Sequence, residues 1–168
     1  MRKNTRQFAH AAMIAALYIV LTHLQNALWP SGTTMAIQFR ASEALCVLAF
    51  FTPAAIPGLS IGCMLFNITS GAALPWDFLI GSLATALATS SMYLTRTITI
   101  KKLPVLGLIM PALFNGLLVG WELAAVIGGG FWFNAICVAV GELAVLATLG
   151  SAVYITIRCR KLDVKLFS

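Results

Sequence analysis

Of the five acidic residues in this 168-residue chain, four lie within or at the ends of apolar runs: Glu43, Asp77, Glu122 and Glu142. Similar surroundings hold Asn67, Asn115 and Asn134, while Gln38 and Arg40 stand just ahead of Glu43 in "AIQFRASEALCVLAFFTPAAIPGL". A charge near the centre of a bilayer costs at least ~2.5–3.5 kcal/mol on insertion scales, so such residues face an internal cavity or a partner. Carboxylates, carboxamides and one guanidinium make a recognition set. Catalysis is not indicated. There is no GxxxxGK[ST] phosphate loop, no HExxH and no GxSxG, and nothing sets a nucleophile against a base. The two histidines, His10 and His23, fall at helix ends and do not build a metal site. A non-enzyme is expected, with no cofactor and no metal, unable to drive transport by its own nucleotide hydrolysis.

The elements that carry these groups follow from composition. Hydrophobic residues make up 60% of the chain and charged residues 10%, more apolar surface than a soluble domain of this length can bury. The expected class is an all-α integral membrane protein, with residues 1–168 forming one domain. The net charge of +6 is not a nucleic-acid footprint, because all the bases except Arg40 fall in three short clusters. Arg2, Lys3 and Arg6 open the chain, Arg96, Lys101 and Lys102 interrupt it, and Arg158, Arg160, Lys161 and Lys165 close it. A spanning helix needs about 20 apolar residues, and six are expected, at about 8–28, 41–56, 57–72, 75–94, 104–127 and 131–157. Six spans put all three basic clusters and both termini in the cytoplasm, as the positive-inside rule favours. A single kinked helix in place of the second and third is the alternative. At about 30 residues it is too long for one ordinary span.

Punctuation agrees with this division. Pro57, Pro75 and Pro104 fall at or near helix starts, where a missing N–H costs little. Gly128, Gly129 and Gly130 suit an external turn. Cys46, Cys63, Cys137 and Cys159 form no CxxC pair and read as small hydrophobes. The basic start followed by a long apolar run reads as a retained first helix rather than a cleaved leader.

On this topology the polar groups concentrate in the outer half of the bilayer. Gln38, Arg40 and Glu43 form the rim of a cup open to the outside, and Asp77, Glu122, Asn67 and Asn134 lie near that rim. Glu142 lies deeper, about 12–18 Å below the outer end of its helix at 1.5 Å per residue, and Asn115 is comparably deep. Several roles stand open. Asp77 caps its helix, or meets a ligand. Arg40 clamps Glu43 or Asp77, or meets a ligand. Glu122 is solvated near the interface, or faces the cavity. The asparagines tie helices together, or read a ligand. Trp29, Trp76, Trp121 and Trp132 fall near the outer face, as an aromatic belt would. In helix 1, Ala11 with Ala15 and Ala12 with Ala16 form overlapping small-xxx-small pairs, which admit a close-packed helix from this protein or from a partner.

Four stretches carry a resemblance: "IQFRASEALCVLAFFTPAAIPGL", "SGAALPWDFLIGSLAT", "NGLLVGWEL" and "FWFNAICVAVGE". From residue 8 to about 157 the chain resembles the queuosine precursor transporter (QueT) family, substrate-binding S components of energy-coupling factor (ECF) transporters. The resemblance implies a six-helix bundle in the plasma membrane of a prokaryote, with an outward-facing pocket. It implies a partner module of one transmembrane coupling protein and two ATPases, with Ala11, Ala12, Ala15 and Ala16 docking on the coupling protein. It implies a 7-deazaguanine substrate, whose N1–H and exocyclic amine suit a buried carboxylate. Glu142 is the first choice for that role, with Glu43 and Glu122 as alternatives. Asn67, Asn115, Asn134, Gln38 or Arg40 would meet the rest of the ring, and Trp132, Phe131 or Trp76 would stack on it. An aminomethyl substituent would need a second carboxylate nearby. The competing reading is a stand-alone proton-coupled carrier titrating Glu142 or Glu122, for which a chain without inverted repeats is small.

Overall fold

The computed structural model describes residues 2–29, 39–71, 73–100 and 103–163, and these are helical with no strand among them. Helix α1 spans Arg2–Leu28, and a 3-10 helix spans Ala41–Phe50. Helices α2 (Ala55–Thr69), α3 (Asp77–Leu94) and α4 (Val105–Val126) follow. The last rod comprises α5 (Phe131–Val145), a π-helical turn (Leu146–Gly150) and α6 (Ser151–Cys159). Three of these helices are long and apolar enough to cross a membrane: Asn4–Leu28, Val105–Val126 and Phe131–Cys159.

The six-segment division matches the expected one closely, with one correction. The second segment is a 3-10 helix ending at Phe50, not an α-helix continuing to residue 56. Pro53 causes the stop, because its ring disfavours helical backbone at Thr52. Pro57 consequently lies inside the first turn of α2 rather than at its first residue. The 3-10 form suits this segment. Its rise of about 2.0 Å per residue carries ten residues roughly 20 Å, against ~15 Å for an α-helix. Its side chains eclipse every third residue. Leu45, Leu48 and Phe51 recur at that period as the partly exposed stripe, while Cys46, Val47 and Ala49 are fully buried.

Neighbours in sequence pack side by side, α1 on α2, α2 on α3, α3 on α4 and α4 on α5. The 3-10 helix is central and touches α1, α2, α3, α5, α6 and the π turn. Two glycine seams set the closest approaches. A Cβ on Gly58 would lie 2.8 Å from the Ala11 carbonyl oxygen, and one on Gly120 would lie 2.6 Å from the Ala135 Cα. So α1 rests backbone-to-backbone on α2, and α4 on α5. The π turn widens the last rod where Gly150 meets Val47 of the 3-10 helix, and Ser151 donates to the Leu146 carbonyl five residues back at 3.1 Å. Gly128 and Gly129 adopt φ of 95° and 85°, the left-handed backbone expected of the turn between α4 and α5.

Candidate functional site

One face of α1 holds the first limb of the site. Gln25 grips the chain on both sides of Arg40: its amide donates to the Phe39 carbonyl, and its Oε1 accepts from the Ala41 N–H at 2.6 Å. Two helical turns earlier, Tyr18 is fully buried and its hydroxyl donates to Glu43 Oε1 at 2.5 Å. The other Glu43 oxygen accepts from the Cys46 thiol at 3.2 Å, a contact created by the three-residue turn of the 3-10 helix. Glu43 is thus held from both sides by the protein itself.

The second limb joins α4 and α5. Asn115 donates to Glu142 Oε1 at 2.8 Å, with both side chains buried. The approach of Gly116 and Gly120 to Ala135 brings these helices close enough for that bond. Glu142 Oε2 is left buried with no hydrogen-bond partner.

A third limb joins α2, α3 and α4. Asn67 donates to the Asp77 carbonyl at 2.8 Å, and Asp77 Oδ2 accepts from the Leu74 N–H at 3.0 Å. Asp77 thus reaches back to the loop ahead of α3, whose first turn has no side-chain cap, so the capping role is not seen. Glu122 is 1% exposed, and neither of its oxygens has a partner.

Arg40 lies among these limbs, buried, within electrostatic reach of Glu43, Asp77, Glu122 and Glu142. The clamp to Glu43 or Asp77 is not seen: no ion pair ties Arg40 to a carboxylate among the described residues, and its Nε has no partner. Asn67 Oδ1 and Ser42 Oγ are also buried and unpartnered. An unmade hydrogen bond on a buried polar group costs about 1–3 kcal/mol. These orphaned donors and acceptors single out Arg40, Ser42, Asn67, Glu122 and Glu142 as candidate site residues.

Residues 8–159 match the family model described as QueT transporter. The chain belongs to the QueT transporter family. It is 35% identical over 88 residues to the queuosine precursor transporter QueT of Lactococcus lactis subsp. cremoris (strain MG1363). That alignment spans 50% of this chain and 47% of the relative, about half the length of each. No solved structure matches the chain. The polar convergence lies within the residues that match the family model.

Not every expected residue joins that convergence. Gln38 lies outside the described residues. Asn134 is buried but donates to the Gly128 carbonyl at 3.1 Å, pinning the glycine turn onto α5. Trp132 is 69% exposed and packs edge-on against Phe131, with ring centroids 4.9 Å apart. Trp76 is also largely exposed, yet it lines a cavity of about 220 Å3 beside Trp121 and Glu122. Ala11 and Ala15 are buried against Gly58 and Gly62 and Ala12 and Ala16 are exposed, and all four line one groove with Pro53 and Pro57. Sequence reasoning missed Tyr18 and Gln25. Their signal is polar groups seven residues apart on one face of an apolar helix, the spacing of two turns.

Proposed function

We propose that this chain is the S component of an ECF-type importer and captures a queuosine precursor, a 7-deazaguanine base, from outside the cell. On this reading residues 1–168 form a single substrate-binding domain of six spans in the plasma membrane of a prokaryote, with both termini cytoplasmic. The carrying observation is the buried Asn115–Glu142 pair, in which one carboxylate oxygen is engaged and the other is free. Such a group accepts a donor from the base edge, and a charge-assisted pair in a dry pocket is strong. Family membership supplies the rest of the reading. Asn67, with its free Oδ1, and Arg40, with its free Nε, offer an acceptor and a donor for the rest of the ring.

The partner surface follows from the same reading. Ala12 and Ala16 of α1 line a groove of about 780 Å3 whose other wall includes Pro53, Pro57 and Ile61. Small residues along a helix permit the close approach of another helix, here one of the coupling protein, whose two ATPase partners supply the energy.

The test is calorimetry on the purified protein alone. Wild type is expected to bind 7-deazaguanine bases, and Glu142→Gln to lose about 2–5 kcal/mol, as when one side of a buried charged hydrogen bond is truncated. No heat of binding with any 7-deazaguanine would refute the substrate reading. Unchanged affinity in Glu142→Gln would transfer the base-reading role to another carboxylate.

A further inference from the structure

The chain enters the 3-10 helix through Phe39, Arg40 and Ala41. Arg40 has extended backbone, with φ of −83° and ψ of 101°. Successive side chains of an extended chain point to opposite sides. Phe39 and Ala41 both line a cavity of about 470 Å3 whose far wall includes Val145 and Thr148 of the last rod. Arg40, between them, turns the other way and is 7% exposed, with its Nε unpartnered among the described residues. On the cavity side the three residues meet open space rather than a packed neighbour. Because the period is two, a slip of one residue exchanges the sides and turns Arg40 out of the bundle. The 3-10 helix does not fix the choice by itself. It has no side-chain cap at Arg40, and the first N–H groups of a helix have no partner within it. Gln25 supplies that partner from α1. Its Oε1 accepts from the Ala41 N–H at 2.6 Å, and its amide donates to the Phe39 carbonyl. One carboxamide thus meets both peptide groups that flank Arg40, as a neighbouring strand would. Trp29, four residues further on, stacks on Phe39 with ring centroids 6.1 Å apart and planes 14° apart, which holds Phe39 on the cavity side.

We propose that Gln25 is a positioning residue: it fixes the register of residues 39–41 and so keeps the Arg40 guanidinium inside the bundle, where it meets the ligand. The ligand half of this assignment rests on the reading above, in which Arg40 gives a donor to the base. Gln25 itself touches no ligand. Its two hydrogen bonds go to the backbone, and its effect on binding passes through Arg40.

Two readouts test the proposal, the first without ligand. Phenylglyoxal condenses with accessible guanidinium groups, and peptide mass spectrometry of the purified full chain reads each arginine separately. In wild type, Arg40 is expected to react at least about tenfold more slowly than the exposed Arg96, because its reaction needs local opening. Gln25→Met keeps the size of the side chain and deletes both bonds, and its Arg40 is expected to react within about threefold of Arg96. Gln25→Glu keeps the acceptor for the Ala41 N–H and is expected to fall between the two. Wild-type Arg40 as reactive as Arg96, or equal protection in wild type and Gln25→Met, overturns the proposal. If Gln25→Met does not fold, Gln25→Glu decides, and wild-type protection there overturns it. The second readout is calorimetry with 7-deazaguanine. Gln25→Met is expected to bind at least about tenfold more weakly than wild type, the scale of one hydrogen bond to a charged group. Arg40→Gln is expected to lose as much, and the double variant to stay within about threefold of Arg40→Gln, because residues that act through one contact are not additive. Additive losses overturn the positioning role. A wild type that binds no 7-deazaguanine refutes the substrate reading instead, and the labelling alone then decides what Gln25 does.

Discussion

At the scale of single residues, the site depends on which polar atoms the protein leaves unmet. Glu43 and Glu142 illustrate the difference. Tyr18 and Cys46 occupy Glu43, so Glu43 is a supported structural carboxylate, while Glu142 keeps one oxygen free. Tyr18→Phe deletes the donor and leaves Glu43 Oε1 buried with no partner from α1. Loss of one partner from a buried hydrogen bond costs about 1–3 kcal/mol, so thermal unfolding is expected at lower temperature, by a similar free energy. Cys46→Ala is expected to be milder, since a thiol is a weak donor. The identity of the buried carboxylates was legible from the residue order alone, because charge inside an apolar run stands out. Their division of labour was not, because Tyr18 lies 25 positions from Glu43 and Asn115 lies 27 from Glu142.

At the scale of elements, the glycine seams and the 3-10 helix set where those residues meet. Gly120→Ala places a Cβ 2.6 Å from the Ala135 Cα, and the neighbour is backbone, which cannot rotate away. Overpacking of this kind costs typically about 1–3 kcal/mol. The expected outcome is a wider α4–α5 gap, a stretched Asn115–Glu142 bond and weaker ligand binding, read by unfolding and calorimetry together. A ligand affinity equal to wild type would show that the seam does not position the pair. Most segment bounds were legible to within a few residues, because Pro57, Pro75, Pro104 and the Gly128–Gly130 turn punctuate apolar runs, while the stop at Phe50 ahead of Pro53 was not. The 3-10 geometry was not, because the run "ASEALCVLAF" has the composition of an α-helix. Its three-residue period became visible only as a pattern of burial.

At the scale of the whole molecule, α1 faces two ways. One face carries Tyr18 and Gln25, which hold the Glu43 and Arg40 limb of the site. Another exposes Ala12 and Ala16 to the groove beside Pro53 and Pro57. The double variant Ala12→Leu and Ala16→Leu is expected to leave ligand affinity within error of wild type while abolishing uptake in cells that carry the coupling module. Retained uptake would remove the groove from the docking surface. Loss of binding would instead make it part of the fold. The corresponding changes at Ala11 and Ala15 are expected to destabilise the protein, because these residues pack against Gly58 and Gly62.

The residue order by itself determined the class, the segments and the polar inventory. Those properties follow from composition and from local backbone rules, which need no neighbours in space: an apolar run long enough to span, a proline that stops a helix, a charge with no water along its own helix. Tertiary structure alone decided which carboxylate is satisfied and which is left open. It also decided which alanines of helix 1 turn inward, and that Arg40 stands between limbs rather than in a clamp. Each of these depends on distances of a few ångströms between helices far apart in the chain, and such distances are set by how closely Gly58, Gly62, Gly116 and Gly120 let backbones approach.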